Sequence, residues 1–236
     1  MSFEKLTEQF LNLAEQFFRL EVVGTEFLSS EQSIVFANHS GFNGMDGLML
    51  AHILRKYSKQ QYKMVTHPFW FQFAPFRAFA KDYGFIEATG TQSMENSLQD
   101  GDSLAIFPEG ESGNFKNSLQ MYQLQEFRSG LVRLALKYDL PVVPCTILGA
   151  EESALSFFKL NLPGPFHGGL KVPLPFNLLP MPTKWRIRFY PAIPASKYKN
   201  QYLYQSQVVK KIQRLWKKRL QIYLYRELKS RPGLFF

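Results

Sequence analysis

The chain has 236 residues, 45% of them apolar, which excludes a disordered polymer and allows one well-buried core with little left for a second domain. Aromatic residues make up 16% of it, with Phe at 23 positions, a composition that fits a surface meeting lipid or another apolar partner. The formal net charge of +9 gathers at the end of the chain, where Lys210, Lys211, Arg214, Lys217, Lys218, Arg219, Arg226, Lys229 and Arg231 face Glu227 alone. Such a patch attracts anionic lipid or nucleic acid, and charge by itself does not choose between them.

A single cysteine, Cys145, excludes an internal disulfide. The opening residues lack a basic n-region and an unbroken apolar run, so no secretory signal is expected. No window reaches the ~18 apolar residues that a spanning helix needs. Any contact with a membrane would therefore be made by lying on it or dipping into it.

In chain order, Leu6 to Leu20 reads as an amphipathic helix, with Phe10, Leu13, Phe17 and Leu20 at three- and four-residue steps. Ser33 to Ala37 is a short buried strand running into Asn38-His39-Ser40-Gly41-Phe42-Asn43-Gly44-Met45-Asp46. Leu48 to Tyr57 is helical, with Asp46 near its first turn, where a carboxylate suits the helix dipole. Tyr62 to Thr66 is a second strand, followed by a ring-rich stretch from Pro68 to Phe79 that belongs more to a core than to a membrane dip. Leu104 to Phe107 is a third strand, Ser129 to Tyr138 a helix, and Pro141 to Ile147 a fourth strand. Gly164 to Met181, rich in Pro and Gly, reads as a long surface loop, and Trp185 to Tyr190 as a last strand.

Beyond Val208, apolar residues recur at helical spacing among the basic ones, and Leu234-Phe235-Phe236 closes the chain. This fits either a helix lying on anionic lipid or one packed on the core with a solvated basic face. The expected organisation is an N-terminal amphipathic segment (1–32), an α/β core (33–200) and a basic C-terminal helix (201–236), together one structural domain.

A general base must present a neutral imidazole nitrogen to the proton that it removes, and a carboxylate on the other ring nitrogen fixes the tautomer. His39 at a strand end and Asp46 at the next helix start meet that need, with Gly41 and Gly44 letting the loop fold back. A second motif, Phe107-Pro108-Glu109-Gly110, lies downstream. His52, His67 and His167 have no ligand spacing, so no metal is expected. There is no Gly-x-Ser-x-Gly elbow and no Gly-rich phosphate loop.

Asn-His…Asp followed by Phe-Pro-Glu-Gly resembles the glycerolipid acyltransferase superfamily, which includes the lysophosphatidate acyltransferases. The resemblance runs from about Ser33 to Ile147 and takes in Gly84-Phe85-Ile86 and Val143-Pro144. It implies an α/β fold with a central mixed sheet flanked by helices. It also implies that His39 deprotonates an acceptor hydroxyl, that Asp46 orients His39, and that the acyl donor is a thioester of coenzyme A or an acyl carrier protein. No covalent acyl-enzyme is then needed, so Cys145 need not be a nucleophile. Phe107, Pro108, Glu109, Gly110 and Ser112 would line the acceptor side; for Glu109, capping of local backbone amides is the alternative. The expected setting is the cytoplasmic face of a membrane, with peripheral attachment to an anionic surface, a lysolipid as default acceptor, and no nucleic acid or bound cofactor.

The sequence departs from the family twice. Six residues separate His39 from Asp46, where four are usual; Asn-His-Ser-Gly…Asp-Gly is similar to a longer-loop branch. The arginines usual after the Phe-Pro-Glu-Gly and Phe-Ile motifs are replaced by Glu111-Ser112-Gly113 and Glu87-Ala88. Lys116 and Arg128 are the cations that could serve a phosphate instead. An acceptor other than lysophosphatidate is the plainer reading. Two rivals use the same residues differently: a thioesterase or lipid hydrolase, with water in place of the acceptor, and a non-catalytic lipid- or nucleic-acid-binding protein acting through the basic tail.

Overall fold

A computed structural model describes residues 3–40, 44–72, 74–161, 171–177, 179–198 and 206–233. The first half contains α1 (Phe3–Phe17), β1 (Glu21–Val23), β2 (Ile34–Ala37), α2 (Met45–Tyr57), β3 (Tyr62–Thr66), α3 (Ala74–Tyr83), β4 (Phe85–Glu87), α4 (Gln92–Gln99) and β5 (Ser103–Ile106). Then come α5 (Glu111–Asn114), α6 (Gly130–Tyr138), β6 (Val142–Leu148), α7 (Ala150–Ser153), β7 (Ser156–Asn161), β8 (Lys171–Pro175), β9 (Arg186–Phe189) and α8 (Ser206–Ser230).

Seven strands form one sheet in the order β1-β9-β6-β2-β5-β3-β4, and β7 and β8 form a separate antiparallel pair. Only the β6–β9 pairing within the large sheet is antiparallel. The architecture is therefore the expected mixed α/β sheet flanked by helices. Its central strands are short apolar runs because both faces are covered. Val35 and Ala37 face a core shared with Leu11 and Phe18, with Leu50 and Ile53 of α2, and with Phe79 beyond them. Ile34 and Phe36, one residue out of phase, face Leu98, Leu131 and Ala135, and Trp216 and Leu220 of α8. That two-residue alternation makes three layers, helix on sheet on helix.

Several expectations change. In α1 the core-facing residues are Leu11 and Ala14, continued by Phe18, whereas Phe10, Leu13 and Phe17 of the stripe read from the sequence are exposed, with Leu6. Both faces of this helix carry apolar residues, so spacing alone could not tell which one meets the sheet. Glu21–Val23 adds an edge strand to the sheet beside β9. The expected loop from Gly164 to Met181 contains β8, a partner for β7; Gly164, His167 and the rest of 162–170, together with residue 178, lie outside the described residues. Pro173 and Pro175 fit β8 because a two-stranded ribbon leaves each strand one free edge. The ring-rich stretch forms a 3-10 turn over Pro68–Gln72 and then α3; Phe71 and Phe76 are half-buried on the core and Phe79 is buried.

α8 packs its apolar face on the sheet through Val209, Ile212, Trp216, Leu220 and Leu224, each worth about 1.5–3 kcal/mol if fully buried. Buried Glu227 clamps its far end to β9, holding Arg188 at 2.8 Å and Arg186 at 3.2 Å. Lys211, Arg214, Lys218, Arg219 and Arg226 remain exposed. Leu234-Phe235-Phe236 lies outside the described residues. Among the described residues, no helix is long and apolar enough to cross a membrane.

Candidate active site

β2 and β5 are adjacent and parallel, with Phe36 beside Ile106, so the two motifs leave the sheet at the same carboxyl edge. Open α/β sheets bind ligands in the crevice at that edge. Asn38, fully buried, uses its side-chain amide as a strand extension: Nδ2 donates to the Ile147 carbonyl at 2.9 Å and Oδ1 accepts the Ile147 N–H at 2.8 Å. This pins the end of β2 to β6 and sets the backbone from which His39 projects.

His39 Nδ1 lies 2.6 Å from Asp46 Oδ2, so the longer loop still brings the pair together. Gly41, with residues 42 and 43, lies outside the described residues, while Gly44 caps α2 at φ 68°, a conformation that side chains other than Gly rarely take. The Asp46 carboxylate is fully buried and also accepts the N–H of Ser40 at 2.7 Å and of Gly47 at 2.8 Å. These bonds fix its direction. With a carboxylate on Nδ1, Nε2 is the ring nitrogen left to take a proton. The imidazole stacks on the Phe107 ring, with centroids 4.3 Å apart and planes 16° from parallel, and stays 15% exposed. Phe107 thus holds the plane of the ring, and Asp46 holds its edge.

Glu109 sits differently from the acceptor-lining place that the resemblance implies. Its side chain is fully buried, with Oε1 accepting the main-chain N–H of His39 at 3.0 Å and Oε2 that of Gln125 at 2.6 Å. A buried carboxylate must be satisfied in this way, and both oxygens are occupied. It is a brace between the two motifs. Lys116 is buried as well: Nζ is 2.9 Å from Glu151 Oε1 and 3.8 Å from Glu109 Oε2, so this cation is already committed. Glu151 also accepts the Tyr122 N–H at 2.9 Å; burial pushes its carboxyl up to about 6, against the pull of Lys116.

Pro108 accepts the Arg128 N–H at 2.7 Å, and the Arg128 side chain covers Gly110 from the segment leading into α6. Arg128 and Ser112 are both exposed, Ser112 on α5. Gly113 of α5 lies where a Cβ would come within 2.6 Å of Glu109 Cβ and 3.0 Å of His39 Cβ. Only a residue without a side chain lets α5 close over the pair.

No spacing in the sequence marks His67 and Glu111 as a pair. His67 follows the end of β3, the neighbour of β5, and its Nε2 lies 2.6 Å from Glu111 Oε1 at the start of α5. Trp70, one turn beyond His67, reaches Gly44 of the loop between His39 and Asp46. The available signal was positional: like His39, His67 comes just past the end of a parallel strand. Cys145 lies on buried β6, and burial pushes its thiol well up, so it is no ready nucleophile.

Residues 19–148, more than half of the chain, match the family described as Acyltransferase. Uncharacterized proteins of Mycobacterium tuberculosis and Mycobacterium bovis are 30% identical over 234 residues, covering 94% of this chain. A Mycobacterium leprae protein, also uncharacterized, is 30% identical. The chain spans 65% of the length of the first two and 64% of the third. Among solved structures, the 1-acyl-sn-glycerophosphate acyltransferase PlsC of Thermotoga maritima shares the fold with a TM-score of 0.65 at 15% identity, covering 97% of this chain and 80% of that one. The family match over more than half of the chain, on a fold shared with that structure, makes this chain a member of the Acyltransferase family.

Proposed function

We propose that this protein transfers a fatty acyl group from a thioester to a hydroxyl of a lipid acceptor, with His39 as general base. The observation that carries the reading is the 2.6 Å contact of His39 Nδ1 with buried Asp46, beside a ring face held by Phe107. Nε2 takes the acceptor O–H proton as the oxygen attacks the thioester carbonyl. The tetrahedral intermediate collapses with C–S cleavage, and the imidazolium returns the proton to the departing thiolate. Asp46 stabilises the imidazolium between these steps. Glu109 positions His39 through its backbone, so its part is to hold the base in place.

The donor is a thioester of coenzyme A or an acyl carrier protein; a lysolipid is the starting acceptor for assay. The exposed cations of α8 support peripheral attachment to an anionic membrane surface. The exposed Leu6, Phe10, Leu13 and Phe17 of α1 are the apolar counterpart. The direct test incubates both donors with a panel of hydroxylated lipids and compares products from wild type and His39→Ala by mass spectrometry. A His39-dependent acylated lipid supports the transferase. Free fatty acid as the sole His39-dependent product would replace it with a hydrolase.

A further inference from the structure

We propose that Glu111 and His67 read the acceptor headgroup, and that the headgroup they take is an uncharged polyol in place of a phosphomonoester. This rests on His39 acting as base toward an acceptor hydroxyl. Three observations place the pair at the acceptor side. Glu111 opens α5, whose Gly113 packs against His39 and Glu109. His67 comes from the end of β3, on the other side of β5 from the His39 strand. The contact itself is short, 2.6 Å, yet the side chains are 31% and 37% exposed. Glu109 is sealed from solvent; this pair is open to it.

The chemistry of the pair selects for hydroxyls. Glu111 is bound to His67 through Oε1, which leaves Oε2 to accept an O–H from outside. A glycerol-type headgroup has neighbouring hydroxyls, so one can donate to Glu111 while the next gives its proton to His39. A phosphomonoester has the opposite needs. It carries one to two negative charges and wants cations, and beside Glu111 it meets a carboxylate. Glu87, which ends β4 opposite Thr66, adds a second acidic residue along the same edge. Lys116, a buried cation, is taken by Glu151 and Glu109. Arg128 lays its guanidinium over Gly110.

The test measures kcat and KM for 1-oleoylglycerol and 1-oleoyl-lysophosphatidate, presented separately in neutral detergent micelles, with wild type, Glu111→Gln, Glu111→Arg and His67→Gln. Wild type is expected to favour the neutral acceptor by ~10-fold or more in kcat/KM. Glu111→Gln should raise KM for 1-oleoylglycerol by roughly 10-fold with kcat nearly unchanged, and His67→Gln should weaken the same acceptor. Glu111→Arg should move the ratio toward lysophosphatidate. The proposal is overturned if wild type prefers lysophosphatidate, or if both Glu111 variants change the two acceptors equally. In either case His39-dependent transfer would still stand. If no acceptor is acylated in a His39-dependent way, the transferase reading falls and takes this proposal with it. Both Glu111 variants should fold, since the side chain is partly exposed, and their melting temperatures check this.

Discussion

The buried carboxylate of Glu109 accepts the main-chain N–H of His39 at 3.0 Å, joining two motifs that lie on neighbouring strands. The same carboxylate accepts the Gln125 N–H and lies 3.8 Å from Lys116. Its removal therefore strands two backbone donors and weakens a buried ion pair.

Glu109→Ala should lower stability by about 3 kcal/mol or more and take most of the activity with it. Glu109→Gln, which keeps one carbonyl oxygen, should lose less of both. Thermal melting with kinetics distinguishes this from direct acceptor contact, which would raise KM and leave the melting temperature alone.

Asp46→Asn preserves volume and removes the charge that fixes the His39 tautomer. The amide would also have to turn its NH2 either toward the Ser40 N–H and the His39 ring, which share Oδ2, or toward the Gly47 N–H at Oδ1. The expected loss in kcat is ~10³-fold, with a stability cost of about 1–3 kcal/mol. Unchanged kcat would remove Asp46 from the account.

Glu151 gives a pH signature. Burial raises its carboxyl from 4.5 to about 6 in the folded chain, so the folded state holds this proton more tightly than the unfolded one. The resulting stability is fully present below pH 4.5, falls as pH rises through about 6, and is flat above that. The loss amounts to at most about 2 kcal/mol. Melting curves from acid to neutral pH for wild type and Glu151→Gln should diverge over that window, with wild type losing stability relative to the variant.

The basic face of α8 should govern attachment to anionic vesicles. Replacing exposed Lys211, Lys218 and Arg219 by Gln should weaken binding to phosphatidylglycerol vesicles by roughly 10²-fold, at about 1 kcal/mol per cation. Vesicle cosedimentation measures this. Equal binding by the variant would assign the attachment elsewhere, with the α1 stripe as the next candidate.

Much of the site could be read from the chain because it depends on local order. Strand ends at Ala37 and Ile106 are marked by apolar runs giving way to Asn38-His39 and to Phe107-Pro108, and adjacency in a parallel sheet does the rest. Properties that depend on which face meets which neighbour were not legible. The α1 stripe is apolar on either reading, and only packing decides that Leu11 turns inward and Leu13 outward. Glu109 and Lys116 looked like ligands for a substrate because the sequence does not show burial; their partners, Gln125 and Glu151, come from distant segments. The His67–Glu111 pair spans 44 residues and arises only when β3 settles beside β5. β8 was concealed by its prolines, and β1 by its three-residue length.

The most direct test of the central claim is single-turnover transfer of a radiolabelled acyl group from its thioester to a lipid hydroxyl, comparing wild type with His39→Ala and His39→Gln. A His39-dependent ester product is expected, with both variants folded and slowed by ~10³-fold or more. Transfer at the wild-type rate in either folded variant would contradict it.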